Sequence, residues 1–205
     1  MRGEPSCILL VPSEALTIMA EETVIDRVTA TTFHQFMGSG RTSPAIFSCE
    51  MNAETREYVV KLRGGMERRE SGLLCELYAS MLAGYFGLSC PRPAVVIIEE
   101  DLGRAVLGRF DPKSTEGRVL RGSIGLNFGT RFLVNLSIWP VDRPVPSIMA
   151  APAMRIFAFD ALIQNPDRKF NNPNLGSHDE DLFVFDHELA FSFLLSVLPN
   201  LTHGC

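Results

Sequence analysis

The chain has 205 residues, 46% of them hydrophobic, enough to bury one core of ordinary size or two small lobes sharing a cleft. With 24 acidic against 19 basic side chains and a formal charge of -5, it lacks the positive footprint with which DNA-binding modules neutralise phosphates, so direct nucleic-acid binding is not expected. The five cysteines (Cys7, Cys49, Cys75, Cys90 and Cys205) are widely spaced with no C-x-x-C pair, which excludes an obvious zinc or redox motif and fits a reducing cytoplasm.

The opening stretch CILLVPSEALTIMA is broken by Pro12 and Glu14 and preceded by Arg2 alone, so it makes a poor secretory signal. No segment reaches the ~20 apolar residues of a membrane span, and no membrane anchor is expected. Residues 24–62 read as three strands of a small antiparallel sheet. The run at 31–37 leads into the loop GSGRTSP, AIFSCE is rich in β-formers, NAETR is a turn, and EYVVKL is a second apolar run.

From Ser71 the spacing becomes helical, with Leu74, Leu77, Tyr78, Met81, Leu82 and Tyr85 on one face, and it stops at Gly87 with Pro91 beyond. PAVVII at 93–98 predicts another strand, EEDLGR a charged turn, and 105–110 a short run. Residues 111–152, rich in Gly and Pro, are expected to link the two halves, with Trp139 packed beneath the link. A helix follows, with Pro152 in its first turn and an apolar stripe of Met154, Phe157, Ala158, Ala161 and Leu162. It delivers the chain to the polar loop NPDRKFNNPN. A short buried strand at 182–185 follows the turn-like GSHDED and ends at DHE.

Phosphoryl transfer from a nucleotide asks a protein mainly to clamp phosphates, place metal charge between them and position the acceptor hydroxyl. In this loop Asp167 precedes Asn172 by the spacing D-x-x-x-x-N, the separation of base and metal ligand in a kinase catalytic loop. One hairpin later comes Asp186, whose carboxylate the hairpin would fold back towards the loop, so Asn172 and Asp186 are the expected magnesium ligands and Asp167 the catalytic base. Upstream, Lys61 on the strand EYVVKL and Glu76 on the next helix are in the order of a phosphate-binding lysine and its carboxylate partner. Gly38, Ser39 and Gly40 form a single G-x-G that is either a phosphate cradle or a plain hairpin turn. Asp160, on the helix before the loop, is expected to brace the loop by hydrogen bonds, and His178 with the three acids after it reads as a solvated turn.

NPDRKFNNPN followed by LFVFDHELAF resembles the HipA-like kinase family, and GLNFGTRFL and SGLLCELYASMLAGYFGL are similar to that family's pattern as well. The same place is similar to type II phosphatidylinositol kinases. The resemblance covers roughly residues 25–195. It implies an α+β, two-lobed protein-kinase-like fold: a β-rich N-lobe with one helix at 1–110, then a linker and small helical C-lobe at 111–205. It implies ATP and Mg as cofactors, transfer of the γ-phosphoryl group to a hydroxyl of a protein, lipid or small molecule, and the roles above for Asp167, Asn172, Asp186, Lys61 and Glu76. Some family members act as toxins beside a DNA-binding antitoxin, which leaves a protein partner open.

The pattern departs from protein kinases where His187 and Glu188 follow the metal acid in place of Phe and Gly, and the chain ends 19 residues after Asp186. These departures keep a second reading in play, a nucleotide-binding pseudokinase or regulatory module without transfer activity. A metal-dependent hydrolase is the third reading, and it lacks a second carboxylate set or a histidine pair at ligand spacing.

Overall fold

A computed structural model of the chain describes residues 25–38 and 43–194. Burial alternates along the first strands as a half-buried sheet requires. In β2 (Ala45–Met51) the side chains of Ala45, Phe47 and Cys49 point inward, and in β3 (Glu54–Lys61) Tyr58 and Val60 do the same. The turn between them is the two residues Asn52 and Ala53, at φ 53° and 63°, the left-handed pair that suits the twist of a tight hairpin. β1 (Asp26–Phe36) pairs antiparallel with β2, and two register shifts along it bend the strand.

The expected small antiparallel sheet of three strands is part of a closed five-stranded barrel in the order β1-β2-β3-β5-β4. β4 (Pro93–Ile98) runs parallel to β1, and β5 (Gly125–Arg131) joins β3 to β4. β5 comes from the Gly-rich stretch beyond residue 110, where no strand was legible. At Gly129 a Cβ would stand 2.5 Å from Val96 Cγ2, so only glycine lets β5 close against β4. Val28, Phe33, Phe47, Val60 and Val96 fill the barrel, and Phe33, Phe36, Phe47 and Phe110 meet edge to face at one end.

Between β3 and β4 lies α1 (Arg69–Tyr85), and after β4 come α2 (Glu100–Leu107) and α3 (Thr115–Arg121), which plug the barrel with Val106, Val119 and Leu120. The charged stretch EEDLGR is thus most of a helix rather than a turn. Glu100 and Asp101 sit in its first turn, where the backbone dipole favours acids, and Arg104 pairs with both.

Beyond the barrel, β6 (Ser137–Ile138), β7 (Leu175–His178) and β8 (Asp181–Val184) form a three-stranded antiparallel sheet beside α4 (Ala150–Leu162). A second core gathers here from Trp139, Ile156, Phe159, Ile163, Leu175, Leu182 and Val184, and α1 contributes Ala79 and Ala83 to it. The Trp139 indole donates to the Arg143 carbonyl at 3.0 Å, with the Arg143 guanidinium over its ring. The described residues therefore form a mixed α/β structure with two sheets and four α-helices.

Both long helices turn a different face inward from the one their large apolar residues suggest. On α1 the buried side is Gly72, Cys75, Glu76, Ala79, Ser80 and Ala83, while Leu74, Tyr78 and Tyr85 are more than half exposed. On α4, Ile156 and Phe159 are buried, whereas Met154 is 73% and Phe157 77% exposed, and Ala158, Ala161 and Leu162 are exposed with them. Small residues win the inner side of α1 because they let its backbone approach the second core closely.

Candidate active site

Alternation along β3 puts Tyr58 and Val60 into the barrel and leaves Lys61 on the outer side, facing α1. The chain is then pinned immediately: Asn127 on β5 accepts from the Arg63 N–H at 2.9 Å, and Ser123 Oγ accepts from the Gly64 N–H at 3.0 Å. The Lys61 ammonium donates to the Glu76 carboxylate and, at 2.7 Å, to Asp186 Oδ1. Burial works against the charge on Lys61, but the two carboxylates outweigh it and leave the ammonium's pKa above the ordinary lysine value. Burial and the nearby Asp186 push the Glu76 carboxyl upward, against the pull of Lys61 and of the His187 backbone.

The polar loop is organised around Asp167. Asn172 Nδ2 donates to Asp167 Oδ2 at 3.0 Å and to its carbonyl at 3.1 Å, and Asn174 Nδ2 donates to the same Oδ2 at 3.2 Å. Asn165 accepts from the Asp167 N–H at 3.2 Å and donates to Asp160 Oδ1 at 3.2 Å. Asp160 does brace the loop: its carboxylate accepts from the side chains of Asn165 and Arg168, and its carbonyl accepts from the Asn165 N–H at 2.9 Å. Arg168 Nε donates to Asp160 Oδ2 at 2.6 Å, and its other nitrogens reach the carbonyls of Pro173 and Asn174, the Phe185 carbonyl at 3.5 Å and His187 Nε2 at 3.1 Å.

The hairpin of β7 and β8 brings Asp186 back to this loop. Phe185 N–H donates to the Asn174 carbonyl at 3.4 Å, so the residues on both sides of Asp186 are tied to the segment carrying Asp167. Asp186 itself has φ 62°, a left-handed conformation that aspartate tolerates better than most side chains and that is concentrated at functional sites. His187 is fully buried, edge to face with Phe159, and burial followed by Arg168 and Lys61 holds its pKa well below the ordinary range. It is therefore a neutral ring accepting from Arg168.

Lys61, Glu76 and Asp186 thus converge from three elements, and Asp167 with Asn172 forms one bonded unit beside them. Gly38 stands at the mouth of the β1–β2 loop, which the Met37 N–H to Pro44 carbonyl bond closes at 2.7 Å. Ser39 and Gly40 lie outside the described residues. His178 and Asp179 to Asp181 form an exposed turn, and no group of three or more His, Cys, Asp or Glu among the described residues is placed to hold a metal. An ion at the site would instead use oxygen donors of two kinds. The Asn172 amide nitrogen faces Asp167, which turns its amide oxygen away as an acceptor, and Asp186 is a partly open carboxylate. That donor chemistry suits a hard cation such as magnesium, with water or phosphate oxygens completing the shell.

Residues 31–198 match the family described as HipA-like kinase. The chain belongs to the HipA-like kinase family. Its structure is similar to that of the Helicobacter pylori proinflammatory kinase CtkA, with a TM-score of 0.51 at 12% identity, covering 87% of this chain and 67% of that one. At that identity the likeness shows a shared kinase-like fold. A search of curated proteins finds no match.

Sequence reasoning assigned no part in the site to Arg168, Arg68 or Glu188 of this HipA-like chain. The Arg68 N–H donates to Glu188 Oε1 at 3.1 Å and the Arg68 guanidinium to the Glu188 carbonyl at 3.2 Å. Only the adjacency of Arg168 to Asp167, and of Glu188 to Asp186, offered a signal for them. No helix among the described residues is long and apolar enough to cross a membrane.

Proposed function

We propose that this protein is a Mg-ATP-dependent kinase that transfers the γ-phosphoryl group to a hydroxyl of a protein, lipid or small molecule. The observation that carries the reading is the single ammonium of Lys61 shared between Glu76 and Asp186, residues 15 and 125 positions away in the chain. A largely buried lysine held by two carboxylates is a poor structural choice, because its charge and that of the fully buried Glu76 must be taken out of water, and it becomes intelligible where phosphates are to be gripped. The family membership and the kinase-like fold support the same reading.

In this reading the first lobe is the barrel with α1, and the second holds α4 and the sheet β6-β7-β8. Lys61 grips the α- and β-phosphates, and Glu76 keeps its ammonium aimed at them. Asp167, oriented by Asn172 and Asn174, accepts the proton of the attacking hydroxyl. Asn172 and Asp186 supply the oxygen ligands for magnesium, which when bound neutralises charge on the phosphates. The Gly38 to Gly40 turn is proposed to cover the phosphates from above.

Purified protein with labelled ATP tests this. Asp167→Ala and Asp186→Asn should each abolish transfer while Asp167→Ala retains nucleotide binding, and full activity in Asp167→Ala would remove the assigned base. Magnesium-dependent binding without transfer in the wild type would instead assign a regulatory nucleotide-binding module. The buried His187 and Glu188 after the metal acid, in place of Phe and Gly, favour that second reading.

A further inference from the structure

Three consecutive residues after β8 each meet the segment between Lys61 and Glu76. Asp186 binds Lys61, the backbone of His187 favours the charged form of Glu76, and Glu188 reaches the start of α1. The helix needs help at that end. Its N-cap residue Arg68 makes no side-chain cap bond, and Arg69 sits at φ 46°, a left-handed conformation unfavourable for a long side chain.

The missing cap comes from the far side of the chain. Glu188 is only 6% exposed, its carboxylate accepts the Arg68 N–H at 3.1 Å, and its carbonyl accepts from the Arg68 guanidinium at 3.2 Å. Gly72, on the next turn of α1, leaves the space: a Cβ there would stand 3.0 Å from both Cγ and Oε1 of Glu188. Glu76 lies one turn further on, and a helix is stiff over the roughly 10 Å between the cap and that carboxylate.

We propose that Glu188 is a positioning residue, which caps α1 from the segment carrying Asp186 and thereby sets Glu76 opposite Lys61. Its consequence for catalysis rests on the kinase reading above; its mechanical part does not. One stretch of three residues then aligns the metal acid, the phosphate-binding lysine and the lysine's partner without any added group.

The test uses the whole chain with Glu188→Ala, Glu188→Gln, Glu76→Gln and the double variant Glu76→Gln/Glu188→Ala. Without nucleotide, amide hydrogen exchange over residues 70–77 should rise several-fold in Glu188→Ala, stay near wild type in Glu188→Gln, which keeps an acceptor oxygen, and be unchanged in α4. With Mg-ATP, kcat/KM should fall about tenfold in Glu188→Ala and recover in Glu188→Gln, the scale of one hydrogen bond to a charged group. The double variant should be no worse than Glu76→Gln, because no glutamate remains to be positioned.

Unchanged exchange over 70–77 in Glu188→Ala, or losses that multiply in the double variant, would overturn the proposal. If Glu188→Ala does not fold, Gly72→Ala serves: its methyl crowds Glu188 Cγ and Oε1 at 3.0 Å although alanine favours helix, so exchange should still rise, and unchanged or slower exchange would count against the idea. A wild type that transfers no phosphate would sink the kinase reading, and the exchange result would then decide the mechanical proposal alone.

Discussion

A guanidinium carries five N–H donors in one plane, and at Arg168 they are spread over the Asp160 carboxylate, the carbonyls of Pro173, Asn174 and Phe185, and the neutral His187 ring. A lysine has three donors at one point and cannot span that set. Arg168→Ala should destabilise the protein by about 3–5 kcal/mol in urea unfolding, because it strands the largely buried Asp160 charge, and Arg168→Lys should recover only part of the loss. A different residue governs alkaline stability. Burial raises the Cys49 thiol from 9.0 to about 12, so above pH 9 the unfolded chain releases a proton that the folded one retains. Its contribution is full below pH 9 and is lost as pH rises towards 12. Wild-type stability should therefore fall more steeply than that of Cys49→Ala between those values, by up to about 1.4 kcal/mol per pH unit, in urea unfolding across the range. The spacing of Asp167 and Asn172 was readable because one short loop holds both. The bond from Glu188 to Arg68 joins positions 120 apart, and no local pattern encodes it.

At the scale of elements, the strands β1 to β4, the helix α1 and the hairpin before Asp186 were legible from alternation, helical spacing and turn residues. The inward faces of the helices were not. A hydrophobic stripe ranks residues by size, whereas α1 packs by closeness and buries glycine, alanine and serine. The same error at α4 can be checked by a pair of variants. Ile156→Ala should cost about 2–5 kcal/mol in chemical denaturation, while Phe157→Ser, on the face expected to be buried, should stay within about 0.5 kcal/mol. Equal losses would restore the original stripe. The junction of β3 with α3 is equally specific: a Cβ on Gly64 would lie 2.3 Å from the Val119 carbonyl oxygen and 3.0 Å from Gly122 Cα. Gly64→Ala should therefore lower the melting temperature by several degrees, and because that turn follows Lys61 it should weaken nucleotide binding as well. β5 is hard to read because GLNFGTR has Thr130 as its only β-branched residue, and Gly129 serves the barrel's closure rather than a loop.

Across the whole molecule, α1 packs on the barrel strands and carries Ala79 and Ala83 into the second core, and Lys61 and Asp186 meet beside it, where the nucleotide is proposed to bind. Nucleotide should therefore tie the two parts together. At a concentration of ATP 100 times its dissociation constant, the protein should gain about 2.7 kcal/mol, seen as a rise in thermal unfolding temperature that requires magnesium and disappears with a chelator. Stabilisation that ignores the chelator would remove Asn172 and Asp186 from the metal assignment. The barrel has a further consequence for how the molecule meets others. Its five strands close into one ring, but β1 meets β4 only over Asp26–Thr29 and β3 meets β5 only from Tyr58, so the outer parts of β1 and β3 each keep one edge without a strand partner among the described residues. In the smaller sheet the edges among the described residues are the two-residue β6 and the four-residue β8, and the Val184 N–H at the end of β8 is already taken by the Ser89 carbonyl. Among the described residues a foreign strand therefore has only those short edges as a template, and a companion docking elsewhere must recognise side chains.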